Sequence, residues 1–121
     1  MIMLGGFCMI RKYAVHLEGE EPVGYLYYDE EEDSYRVEIR NDLPPDTPMP
    51  LYFTSMLWDN KYEMTGELAE LYVKEHVIPP DRAGIDDILV KLGLPYYHPM
   101  FFIDLFRGRN VMDDFLMDRI V

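Results

Sequence analysis

Between Ile10 and Ile39 the chain alternates apolar and polar positions three times over. Tyr13, Val15 and Leu17 interleave with Lys12, Ala14 and His16, the period of a strand with one buried face. Val23, Tyr25 and Tyr27 interleave with Gly24, Leu26 and Tyr28; both sets are largely apolar or aromatic, so this second strand is expected to be central or covered. Tyr35, Val37 and Ile39 against Arg36, Glu38 and Arg40 give a third strand with the sharpest in-and-out alternation. The connections, Glu18 to Pro22 and Asp29 to Ser34, are short and rich in turn residues, which predicts an antiparallel meander.

The pattern then changes. Asn41 to Pro50 holds four prolines and is excluded from helix and inner strand, because proline lacks the amide that both ladders need. Leu51 to Thr54 reads as a short fourth strand, and the run from Ser55 to Tyr62 is too mixed to assign. Asn60 and Glu63 have the spacing of a capping box, so a helix is expected to start there or, given the weak Gly66, near Thr65. Its buried face is read as Leu68, Leu71 and Tyr72, its wet face as Glu67, Glu70 and Lys74, and Pro79-Pro80 stop it near Val77. Ile85, Ile88, Leu89 and Leu92 fall at i, i+3, i+4 and i+7, the clearest helical stripe in the chain, with Asp86 and Asp87 early and Gly93 as its end. A further helix is predicted from Pro99 to Arg107, closed by Gly108. Residues 110–121 read as helix or, over Phe115 to Val121, as an edge strand. The expected fold is α+β in one domain: a meander of three to four strands in residues 10–54, then about three helices packed on it in residues 60–107.

Composition narrows the chemistry. At 121 residues, 49% hydrophobic and 14% aromatic, the chain can bury a real core and is too apolar for intrinsic disorder. Its single cysteine, Cys8, excludes an internal disulfide and a cysteine-based zinc site, and a reducing cytoplasmic setting is the simplest expectation. The apolar start, Met1 to Ile10, precedes its charges Arg11 and Lys12, the wrong order for a signal peptide, and is too short to span a membrane. Met9 offers an alternative start, which would make the first eight residues an extension; residues 1–9 are expected to be a flexible or extension segment. The formal charge is −12, from 11 basic and 23 acidic residues, and neither half of the chain is basic. Direct nucleic-acid binding, which needs clustered Lys and Arg, is therefore not expected.

No catalytic apparatus stands out, and no cofactor or metal is expected. The acidic run Asp29 to Asp33 lacks the spacing and glycine of a calcium loop and reads as a solvated hairpin tip. Asp113 and Asp114, with Asp104 and Asp118 nearby, invite a paired-carboxylate reading, but adjacent side chains diverge and cannot simply face one reacting atom. His16, His76 and His98 show no ligand spacing. Tyr25, Tyr27, Tyr28 and Tyr35 on adjacent strands offer either a protein-binding platform or ordinary cross-strand packing. Trp58, the lone tryptophan, is a candidate contact residue. Arg82 sits near a helix start, against the dipole. It is expected to pin Asp113 or another acid; the alternative is an exposed contact.

The segment Ile78-Pro79-Pro80-Asp81-Arg82-Ala83-Gly84-Ile85, followed by Leu89, Leu92-Gly93 and Gly108 to Phe115, resembles the N-terminal module of Firmicute-type HipA-like serine/threonine kinases. Ile78, Pro79, Arg82 and Asp113 are the matching positions, and Leu43 to Thr47 resembles a loop upstream of them. Tyr72 and His76 stand where the family commonly has tryptophan and arginine. The resemblance implies a free-standing version of the module, without the kinase's phosphotransfer residues. In related systems a small protein of this kind is an antitoxin that binds and restrains the kinase. The reading that follows is a non-catalytic regulatory module with a protein partner, possible contacts being Tyr25, Tyr27, Trp58, Arg82, Asp113 and Asp114. The alternative is an acidic inhibitor from a phage or mobile element whose carboxylates, set in rows on one face, mimic nucleic-acid phosphates.

Overall fold

The computed structural model describes residues 10–121, so the extension segment and Cys8 lie outside the described residues. The meander forms as the alternation predicts: β1 (Ile10–His16), β2 (Gly24–Asp29) and β3 (Ser34–Ile39). They are followed by α1 (Leu51–Trp58), β4 (Glu63–Thr65), α2 (Gly66–Lys74), α3 (Ile85–Leu92), α4 (Pro99–Phe106) and β5 (Leu116–Arg119). One antiparallel sheet has the order β4-β3-β2-β1-β5, with β2 at its centre. The α+β expectation holds, with one more helix and one more strand than the pattern predicted.

Register decides the two faces. Tyr13 pairs with Leu26, which pairs with Val37, which pairs with Met64, so these four share a face, and all are buried. Phe53 of α1, Ala69, Tyr72 and Val73 of α2, and Met100 and Ile103 of α4 complete that core. The helices therefore cover one side of the sheet. The other side carries Lys12, Tyr25, Tyr27, Arg36, Glu38 and Glu63.

Several local expectations are corrected. Leu51 to Thr54 is helical, not a strand; a three-residue apolar run fits either element, and here the Phe53 ring is placed on the sheet by a helical turn. Asn60 opens no helix. It sits left-handed at φ 57° and closes α1, its amide donating to Leu57 O and that of Lys61 to Met56 O, the two bonds of a Schellman stop. The chain is then extended enough for Glu63 to Thr65 to pair with β3, and α2 starts at the later of the two expected positions. The face of α2 is also different: Ala69, Tyr72 and Val73 are buried while Leu68 and Leu71 are exposed, because small side chains let the helix lie close on β3 and β4. The N-cap of α3 is Gly84. The stripe of α3 is real, yet no residue of that helix is fully buried. In the tail the strand reading holds: β5 pairs with β1.

Candidate functional site

The six residues singled out by sequence fall in four places. Tyr25 and Tyr27 lie on the open face of β2, half-buried, whereas Tyr28 and Tyr35 pair across the covered face with ring centroids 5.2 Å apart. The four tyrosines thus form no single platform, since alternate residues of a strand point to opposite faces. On the open face each ring is already covered by a cation. Lys12 Nζ stands 4.2 Å from the Tyr25 centroid, and the Arg36 guanidinium stands 3.9 Å from that of Tyr27. Arg36 also reaches Glu38 at 3.3 Å and Glu63 at 3.4 Å.

Arg82 lies exposed in the turn before α3 and pairs with no acid among the described residues, so the expected pin is corrected. Asp113 is engaged elsewhere: its Oδ1 accepts from the Phe115 amide at 2.9 Å, while Asn110 Oδ1 accepts from the amides of Met112 and Asp113. These bonds close the 110–115 turn locally, leaving Asp113 no need of a distant arginine. Asp114 is exposed. The Ile78 to Ile85 segment is fastened instead by Tyr97, whose hydroxyl donates to Ile78 O at 2.6 Å.

Trp58 is the informative position. It is 87% exposed, unusual for the largest apolar side chain. With Leu51 and Tyr52 from α1 and Met112 from the 110–115 turn it lines a groove of about 460 Å³ whose walls are mainly apolar. Leu51 is 53% and Met112 60% exposed, and Val111 beside it is fully exposed. Beneath the groove Tyr52 meets the buried Tyr72 edge-on at 5.7 Å, and Tyr72 lies against His76 at 4.5 Å. Burial and then the Glu75 carboxylate push the Tyr52 hydroxyl up; burial and then Asp113 push Tyr72 up. Carboxylates thus flank the aromatic floor.

The other candidate acids and bases have structural partners. Asp104 accepts from the Tyr13 hydroxyl at 2.6 Å and from Arg11 at 3.2 Å, joining α4 to β1. His98 caps α4 by accepting from the Met100 amide, and its Nε2 reaches Asp33 at 2.9 Å. Arg107, left-handed at φ 59°, grips Asp118 and Glu18 through paired hydrogen bonds, and Asp118 also meets His16 at 2.8 Å. Sequence reasoning missed these clusters because their members are up to 102 residues apart. The groove lined by Asp113 holds Glu18, Arg109 and Asp114 but no histidine. Carboxylates are dispersed over the open face (Glu38, Glu63), α4 (Asp104) and the hairpin tip (Glu30, Asp33), many of them against arginine or histidine. The phosphate-mimic reading gains no support from that arrangement.

Two of these groups set the response to acid. Burial holds the His76 imidazole below its ordinary value, so as pH falls through about 6.5 the unfolded chain takes up its proton first and stability declines. The Arg107 guanidinium, offset in part by desolvation and helped by His16, lowers Asp118 to about 2. Its contribution is present above the ordinary carboxylate range and is lost as pH falls from about 4 toward 2, at roughly 1 kcal/mol after solvent screening. Urea titrations across pH should show both declines, and His76→Phe should remove the first while leaving the second.

No family model, curated protein or solved structure matches this chain. Among the described residues no group of three or more His, Cys, Asp or Glu is arranged to hold a metal ion. No helix there is long and apolar enough to cross a membrane.

Proposed function

We propose that the protein is a non-catalytic binding module, the antitoxin-like partner of a HipA-like kinase, and that it docks through the groove walled by Trp58. The observation that carries the docking site is the exposure of Trp58 together with Leu51 and Met112. Separately, each would be an ordinary surface residue; together they make a contiguous apolar patch with an aromatic anchor, the kind of surface that protein partners cover. The resemblance at Ile78 to Ile85 supplies the class of partner.

Co-expression with HipA-like kinases of the same genome provides the test. The expected outcome is a co-purifying complex in which kinase autophosphorylation falls, and in which Trp58→Ala weakens association by about tenfold or more. Because the Trp58 side chain lies in solvent, that substitution should leave the circular dichroism and urea midpoint unchanged. Recovery of no kinase, together with unchanged kinase activity, would sink the proposal.

A further inference from the structure

The groove says more about its occupant than that it is apolar. Carboxylates neighbour its lining: Asp59 follows Trp58 as the exposed C-cap of α1, Glu75 stands at the Tyr52 hydroxyl, and Asp113 follows Met112 and stands near Tyr72 below. In the adjoining groove Asp113, Asp114 and Glu18 outnumber the one cation, Arg109. Lys61 follows Asp59 in the next turn, and Lys74, the residue before Glu75, is held by Glu70 at 2.9 Å. None of the three carboxylates beside the lining is engaged in an ion pair among the described residues, whereas Glu18, Glu30, Glu38, Glu63, Asp42, Asp104 and Asp118 all are.

We infer that the Trp58 groove takes a basic amphipathic segment of a partner protein, its apolar side chains seated between Leu51, Trp58 and Met112 and its lysines or arginines on Asp59, Glu75 and Asp113. An apolar stripe flanked by cations is the complement of an apolar groove flanked by carboxylates, and helix-in-groove recognition reads such a stripe at helical spacing. A second copy of this chain is the poorer occupant: at −12 two copies repel, and these carboxylates would face others. An acidic segment is opposed in the same way. This inference rests on the groove being the docking site and adds the chemistry of what enters it.

Trp58, as the only tryptophan, reports directly. The probe is a helical peptide with leucines along one face and lysines along the other, compared with versions carrying glutamate for lysine and serine for leucine. The lysine–leucine peptide should shift Trp58 emission to the blue with saturation, more weakly as salt rises, and the two altered peptides should bind at least about tenfold less well. Variants separate groove from general charge attraction, with binding read by anisotropy of labelled peptide. Leu51→Asp adds a carboxylate, at a helix first turn where the dipole tolerates it. Simple electrostatic attraction would tighten; seating of leucines in the groove predicts a loss of about tenfold. Leu68→Asp, on the exposed face of α2, should not weaken it. Equal binding of the glutamate peptide, tighter binding to Leu51→Asp, or concentration-dependent self-association abolished by Leu51→Asp would overturn the inference. A kinase captured through Trp58 without any binding of the basic peptide would overturn this inference alone. Peptide binding without kinase capture would leave it standing and remove the kinase as partner.

Discussion

Replacing Gly24 with alanine should cost about 3 kcal/mol or more and leave a fraction of the chain unfolded in water. A Cβ at this position would stand 2.4 Å from Glu38 O and 2.7 Å from Cε2 of Phe53. The first obstacle is backbone of the neighbouring strand and cannot rotate away; the second is a fully buried ring. Relief therefore requires β2 and β3 to part or α1 to lift from the sheet. Urea denaturation followed by far-ultraviolet circular dichroism measures it. Gly19→Ala is the comparison, since Gly19 has open space but a φ of 79°, and a left-handed alanine should cost only about 1 kcal/mol. Equal midpoints for the two variants would show that the close packing at Gly24 is absent.

Phe53→Ala should lose about 3–5 kcal/mol, the range for deleting a buried aromatic ring. Phe53 is 0% exposed and stacks on Tyr72 at 6.0 Å and 28°, so it joins α1, α2 and the centre of the sheet at one point. Its removal opens a cavity beneath the Trp58 groove and should loosen α1 ahead of the meander. In the Gly24→Ala background the same substitution should cost less than it does alone, because it removes one of the two obstructions. Strict additivity in that cycle would contradict contact between the two positions. Trp58 emission is a poor reporter for either variant, as the indole is already in water.

The meander was legible because three strands each repeat a two-residue period long enough to fix which side chains face inward. α3 and α4 were legible from a stripe, a first-turn proline and a terminal glycine. What failed has a common physical origin. Leu51 to Thr54 and Glu63 to Thr65 are too short for any period to declare itself, so their state is set by Phe53 reaching Gly24 and by Met64 pairing with Val37. The α2 face was misread because leucine was given preference over Ala69 and Val73, while close approach of helix to sheet favours the smaller residues. Of the site, Trp58 stood out by its rarity, but its companions Leu51 and Met112 are 61 positions apart and only the fold joins them. Arg82 and Asp113, paired by expectation, are kept apart by a turn that satisfies Asp113 locally.

The two ends of the sheet limit how anything can join it. β4 is only three residues long, and on β5 the Met117 amide already donates to Arg107 O at 2.7 Å. Among the described residues neither border offers a long row of vacant amides and carbonyls on which a foreign strand could grow. Strand-by-strand accretion, the common route from a sheet to fibres, is thereby disfavoured at both margins. Short, partly occupied borders favour recognition through side chains, which are specific where backbone ladders are indiscriminate.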